Sequence, residues 1–266
     1  MAVYRDETGF EFRVADVGEV RFDRNGNLTA TRLAPQACPE LLDNVLIGHI
    51  LPLVWSLRGG FTMHSAVVAT RRGAVLFFGP SGAGKSTLAA SFEGCDGCTV
   101  LDDDAGLLKR CGQDILAYPT GRGVSLWSDS LAAVGAGFPE QRRLSAYGTK
   151  FRARRANSPP DAVWPEGEEE RGVPLVAAYH LLRPAEDDPA QPVFEPMTAA
   201  DKHLRLGRSC QRLDLTDTDQ LQRQFAFLSH LITRIPICRL RYRRSYATLP
   251  DVRRAVLEHI ERPIPR

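Results

Sequence analysis

The sequence predicts a mixed α/β fold, with a small β meander and helix before the main sheet and an α/β extension after it. Three observations lead there. Residues 74–78 (AVLFF) form a fully apolar run that passes into a Gly-rich loop and then a helix-compatible stretch. Residues 63–69 (MHSAVVA) precede that run across the turn Thr70–Gly73, so the two strands make an antiparallel hairpin. Phe10, Phe12 and Val14, then Val20 and Phe22, alternate with polar residues, which is the period of half-buried strands.

Taken in order, residues 10–33 read as the meander. Asn25-Gly26 is its two-residue hairpin turn, where both positions need positive φ. Residues 40–57 read as a helix with Pro52 as a kink or break, ended by Gly59-Gly60. The hairpin follows, then a helix over 85–93 and a strand at Thr99-Val100-Leu101. Residues 136–172 show no regular pattern. They read as a basic loop holding Arg142, Arg143, Lys150, Arg152, Arg154 and Arg155, followed by Pro159-Pro160 and the acidic run Glu166–Glu170. A strand over 174–182 comes next. Thr198 to Asp201 resembles a capping box that opens a short helix. Leu221, Phe225, Leu228 and Ile232 recur at helical spacing and read as a core face over 218–233. A strand at 237–242 and a helix at 250–260 complete the chain. The expected division is 1–60 for the meander and helix, 61–183 for the core with its basic loop, and 184–266 for C-terminal helices and strand completing the same domain.

At 266 residues, 43% hydrophobic and 25% charged, the chain has the balance of a globular protein. A net charge of +2 offers no field for bulk binding to nucleic acid or to a membrane surface, and no RNA- or DNA-binding motif occurs. The N-terminus MAVYRDETGF has neither the charged nor the apolar region of a secretory signal. The apolar stretch 45–57 is interrupted by Gly48, His49 and Pro52 and is too short to span a bilayer. The six cysteines read as reduced thiols, and the expected compartment is the cytoplasm. Of 34 basic residues only four are lysines, namely Lys85, Lys109, Lys150 and Lys202.

The chemistry gathers at residues 79–87, GPSGAGKST, which fit G-x-x-x-x-G-K-[ST]. Gly79, Pro80, Ser81, Gly82, Ala83 and Gly84 form a loop whose backbone N–H groups can cradle phosphate oxygens. Lys85 supplies a charge to the β/γ-phosphates. Ser86 can ligate Mg²⁺, and Thr87 closes the motif. Val100-Leu101 leads into Asp102, Asp103 and Asp104, where one carboxylate can hold metal while a neighbour accepts a proton. Asp102 is expected to face solvent at the strand end. The hairpin register places His64 opposite Gly79, beside the mouth of the loop.

Other candidates are more ambiguous. Lys150 in the basic loop can clamp phosphates or the acceptor, or belong to a solvated surface. Arg122 sits between glycines, in a phosphate-reaching loop or an ordinary turn. Cys95 and Cys98 have redox or half-zinc spacing but follow a helix C-terminus, where the dipole raises a thiol pKa. Arg239, Arg241 and Arg243 alternate along one strand face, which can be solvated or receive an acidic peptide.

The segments HSAVV, AVLFFGPSGAGKSTLA and VLDDDAGLL resemble the catalytic domain of the HPr kinase/phosphorylase family, over about residues 61–135. The resemblance is closest to the family's short homologues, such as the lasso-peptide serine kinases. It implies a mixed-sheet P-loop kinase of the phosphoenolpyruvate carboxykinase/HPr kinase type. It also implies ATP and Mg²⁺ as cofactors, a peptide or protein presenting a serine as partner, and a possible homo-oligomer. In its terms Asp103 looks like the metal-side aspartate, beside Ser86. Asp104, with His64 near it, looks like the group that activates the acceptor hydroxyl. The later loop of the HPr enzymes has no counterpart after Leu126, and an HPr-directed kinase/phosphorylase stands as an alternative to the peptide-directed kinase. A hydrolysing switch or motor NTPase is the other enzymatic class, but the chain has no N-K-x-D or L-S-G-G-Q motif. A nucleotide-sensing regulator without chemistry would not need the Asp103-Asp104 pair.

Overall fold

The computed structural model describes residues 2–15, 17–34, 46, 50–121, 123–143, 150–154, 172–211 and 217–262. Four antiparallel strands come first: β1 (Ala2–Arg5), β2 (Gly9–Val14), β3 (Gly18–Asp23) and β4 (Leu28–Leu33). Phe10, Phe12, Val20 and Phe22 turn to one face and bury against Ile50, Leu53 and Val54. The last two belong to helix α1 (Leu51–Leu57). The β3–β4 turn is longer than two residues. Only Gly26 takes positive φ, and the Asp23 carboxylate accepts from the N–H groups of Asn25 and Asn27 at 2.9 and 2.8 Å. That carboxylate does locally what an Asn-Gly turn was expected to do. Pro52 does not break α1. It sits in the first turn, where a missing N–H goes unnoticed.

The main sheet is built on β7 (Gly73–Phe78), in which every residue is buried. Its antiparallel neighbour is β6 (Ser65–Thr70), paired from Ser65↔Phe78 to Thr70↔Gly73. This is the register expected from the turn. On the other side lies β14 (Val173–Leu181), parallel to β7. Outward from β6 comes β8 (Thr99–Asp102). The far edge of β14 is shared. Its first residues pair with β10 (Asp114–Tyr118), and its last four pair in parallel with β16 (Ile237–Arg241). Beyond β10 lie β9 (Gly106–Cys111) and β5 (Phe61–Met63), while β15 (Val193–Pro196) pairs with β16. The sheet is therefore mixed, and it forks at β14.

Two layers of helix cover it. Alternate β7 side chains point to opposite faces. Leu76 and Phe78 pack toward α4 (Ala199–Ser209) and α5 (Thr218–Arg234), with Leu206, Leu228 and Leu231. Val75 and Phe77 pack toward α2 (Lys85–Ser91) and α6 (Leu249–Glu261), with Leu88, Val252 and Val256. On α5 the expected core face is only half buried: Phe225 is 64% exposed and Leu221 36%, whereas Leu228 and Leu231 are enclosed. The Thr198 capping box forms as read, its hydroxyl accepting from Asp201 N at 3.1 Å.

Part of the stretch read as an irregular loop is strand. β11 (Val124–Trp127), β13 (Lys150–Arg154) and β12 (Glu140–Arg143) make a three-stranded antiparallel sheet. Helix α3 (Ser128–Val134) follows β11, and Leu126, Phe138 and Ala153 are packed with Ala90 of α2. The run Lys150-Phe-Arg-Ala-Arg154 alternates basic with apolar, a strand period that the surrounding charge obscured. The acidic run, Arg155, Arg122 and Cys38 lie outside the described residues. Among the described residues no helix is long and apolar enough to cross a membrane.

Candidate functional site

His64 interrupts what reads in sequence as one strand. Before it, β5 pairs with β9; after it, β6 pairs with β7 and β8. The chain 99–111 breaks at the same level, with Asp103, Asp104 and Ala105 between β8 and β9. One register spans the break, since Met63 pairs with Gly106 and Val67 with Asp102. The two breaks therefore face each other and bring His64 to Asp104. Closeness here demands glycine at 106, where a Cβ would sit 2.2 Å from Ser65 Oγ.

The three aspartates have three different surroundings. Asp102 is 1% exposed and does not face solvent, contrary to expectation. Its Oδ1 accepts from the N–H groups of Asp104 and Ala105, both at 2.6 Å, and its Oδ2 accepts from the Thr120 hydroxyl. It is the brace that bends the chain between β8 and β9. Asp103 is equally buried. Its Oδ2 accepts from Ser125 N at 2.8 Å, while Oδ1 has no hydrogen-bond partner. Burial, then Asp104 and Asp102, pushes its pKa up to about 7, against the pull of Arg152 and the Ser125 N–H. Asp104 is more open, its side chain 26% exposed, with Oδ1 3.8 Å from His64 Nδ1.

His64 is held by its backbone N–H, which donates to Ser209 O at 2.7 Å. Its Nδ1 lies 3.2 Å from Asp104 O, so a proton on Nδ1 points at that carbonyl. Burial and the Lys85 charge lower its pKa, and Asp104 opposes them.

The loop 79–84 joins β7 to α2 and stands beside these carboxylates. Gly79, Gly82 and Gly84 have φ of +143°, +79° and +81°. At Gly79 a Cβ would also meet Leu181 O at 2.2 Å. Pro80 O accepts from Ala83 N at 3.2 Å, which rounds the loop, and Ser81 and Gly82 are exposed at its tip. Lys85 is 5% exposed and folds back, donating to Gly79 O and Pro80 O at 2.9 and 3.1 Å. Burial lowers its pKa, while Asp104 and Asp103 hold it up. Ser86 is half-buried in the first turn of α2, and Thr87 Oγ1 lies 3.0 Å from Ser130 Oγ.

Lys150 opens β13, with Nζ 5.9 Å from the Trp127 ring centroid, and its charge reaches His64. Arg152, two residues on, is the group the sequence did not single out. It pairs in register with Ser125, whose N–H holds Asp103, and it is 9% exposed. The i, i+2 spacing of Lys150 and Arg152 is the signal that could have found it. Other candidates drop away. Burial pushes Cys98 up to about 11, which suits neither redox nor metal duty. Arg239 is bridged to Glu195, and Arg241 to Asp187, Asp188 and Glu195, so that strand's charge is largely answered within the chain. Among the described residues no group of three or more His, Cys, Asp or Glu side chains is arranged to hold a metal.

Of the two expected cation ligands, Asp103 Oδ1 is buried without a hydrogen-bond partner and Ser86 is half-buried in the first turn of α2. A buried carboxylate oxygen without a partner, in a set of hard oxygens, fits Mg²⁺ bound jointly with phosphate and water.

No family model and no curated protein matches this chain. Among solved structures it is similar to the Hpr(Ser) kinase/phosphatase from Coxiella burnetii, at 14% sequence identity and a TM-score of 0.27. The match covers 65% of this chain and 91% of that one. Likeness at this distance leaves the chemistry to be read from the residues themselves.

Proposed function

We propose that the chain is an ATP- and Mg²⁺-dependent kinase that transfers the γ-phosphate to a serine hydroxyl of a peptide or protein. The observation that supports it best is the double strand break. It sets His64 against Asp104, next to Asp103, beside a glycine loop whose lysine donates to two backbone carbonyls.

In this reading Lys85 leaves Gly79 O and Pro80 O and turns its three donors to the phosphates, while loop N–H groups hold the remaining oxygens. Mg²⁺, when bound by Asp103 Oδ1 and Ser86, supplies positive charge to the phosphate oxygens. Asp104 takes the proton of the acceptor hydroxyl, whose oxygen then bonds the γ-phosphorus as the bond to the bridging oxygen breaks and ADP leaves. His64 positions Asp104 through its Nδ1, which lies against the Asp104 backbone carbonyl. Lys150 and Arg152 come from the adjoining three-stranded sheet. The Lys150 charge reaches His64, and Arg152 offsets the Asp103 carboxylate. A ribosomal peptide precursor with an accessible serine is an acceptor of the right kind.

Incubation with γ-labelled ATP, Mg²⁺ and a pool of serine-containing peptides tests the reading. Label on a peptide serine is expected. Release of inorganic phosphate alone would replace the kinase with a hydrolase, and nucleotide binding without turnover would replace it with a regulator.

A further inference from the structure

The small sheet leaves one strand edge open. Its order is β11-β13-β12, so one edge of β11 pairs with β13 and, among the described residues, the other pairs with no strand. In an antiparallel ladder the N–H and C=O of a residue point the same way, and successive residues alternate. Ser125 N–H is turned away from β13, to Asp103 Oδ2 at 2.8 Å. Val124 and Leu126 therefore make the bonds to β13, where Ala153 and Phe151 stand opposite. The Ser125 C=O, and the N–H of Trp127 two residues on, point out along the open edge. Among the described residues neither has a hydrogen-bond partner. The Ser125 hydroxyl, in a residue only 4% exposed, has none either.

This edge starts at the carboxylates. Asp103 occupies the Ser125 N–H, so the carboxylate stands where a neighbouring strand would place a carbonyl. From there the edge continues on the side of His64. Arg152, in register with Ser125, acts on Asp103, and Lys150, in register with Trp127, acts on His64. Ser125 O and Trp127 N are spaced so that one residue of an extended chain parallel to β11 can donate to the first and accept from the second. The Trp127 side chain is 53% exposed, with Lys150 Nζ 5.9 Å from its ring centroid. An open acceptor and donor at backbone spacing beside an exposed indole is the arrangement that takes a peptide by strand addition.

We infer that the phosphate acceptor is an extended peptide segment that adds as a parallel strand to the open edge of β11, with one of its side chains resting on Trp127. The inference rests on the kinase reading for the serine that the segment carries. The backbone bonds hold any sequence, and the indole supplies the preference, for an apolar or aromatic side chain near the serine. A serine held in a helix or a rigid domain cannot make these bonds, so the acceptor is an unfolded stretch of chain.

A synthetic pool of short serine peptides tests it on the full chain, with Mg²⁺–ADP for retention and γ-labelled Mg²⁺–ATP for transfer. In a retained peptide, N-methylation of one residue close to the serine should weaken binding about tenfold, and methylation of its two neighbours by under about threefold. Trp127→Ala should raise the peptide KM about tenfold and leave kcat within about twofold. Trp127→Pro removes the N–H as well, at a φ of −69° that suits proline, and should raise KM about fivefold further. The methylation series uses the wild type alone, so it decides even if a variant folds poorly. Transfer that is indifferent to methylation and to both variants would keep the kinase and overturn the inference. Retention that depends on Trp127, without transfer, would keep the docking edge and remove the kinase. A dimer that Trp127→Pro dissociates would give the edge to a second copy of the chain, and retention of no peptide would overturn the inference outright.

Discussion

Three consecutive aspartates do three jobs because their oxygens meet different partners. Asp102 spends both oxygens on the bend, Asp103 spends one, and Asp104 lies toward solvent and His64. Asp102→Ala should therefore behave as a stability lesion. It strands the buried Ala105 N–H, the part-buried Asp104 N–H and the Thr120 hydroxyl, for a loss of about 3 kcal/mol in denaturant unfolding. A loss within about 0.5 kcal/mol would show that the bend does not depend on Asp102. This role was not legible in the sequence, where a strand-terminal aspartate reads as solvated. What buries it is Thr120, 18 residues away, and no local pattern reports such a partner. The hairpin register was legible, because a short turn fixes it, but the pairing stops at Ser65↔Phe78, and the neighbour that His64 meets is Asp104 rather than the expected Gly79.

At the scale of elements, the apolar strand, the glycine loop and its helix were readable because each is dictated locally by burial period or by φ. The breaks were not. His64 separates β5 from β6 because the strands around it change partners, and partner choice is set by the whole sheet. The basic segment hid β12 and β13 for a similar reason: strand alternation was overlaid by charges that serve Asp103 and its surroundings. On α5 the helical period was right but its depth was not, since the packed sheet reaches only the second half of the helix. Leu231→Ala should cost about 2–5 kcal/mol by leaving a cavity between α5 and the sheet. Phe225→Ser, on the open half where its ring stacks on His203, should cost under about 1 kcal/mol. Equal losses in thermal or denaturant melts would mean that the exposed half is covered in solution.

For the whole molecule, the fork at β14 sets two faces to different uses. The α4/α5 face carries a buried histidine, His180, packed on Phe78 with ring centroids 5.1 Å apart. Burial, with Arg205 and Arg239 nearby and Asp201 opposing them, pushes its pKa down to about 4. The unfolded value is near 6.5, so between these limits the unfolded chain binds a proton that the folded chain does not. Stability from this group is full above pH 6.5 and is lost as pH falls toward 4. Relative to His180→Gln, the wild type should lose up to roughly 3 kcal/mol more between pH 7 and pH 4, measured by urea unfolding. Parallel pH profiles would show that His180 titrates as it does in water. The opposite face, with α2 and α6, holds the loop that leads into α2.

The central claim is that Asp104 accepts the acceptor proton while Lys85 and Asp103 serve the donor. The direct measurement is nucleotide affinity and single-turnover transfer on the same preparations of wild type, Asp104→Asn and Lys85→Ala. Asp104→Asn should bind Mg²⁺–ATP within about threefold of wild type and lose transfer by about 10²-fold or more. Lys85→Ala should lose binding and transfer together. Full transfer by Asp104→Asn would contradict the account, because the junction of the two strand breaks would then hold no base.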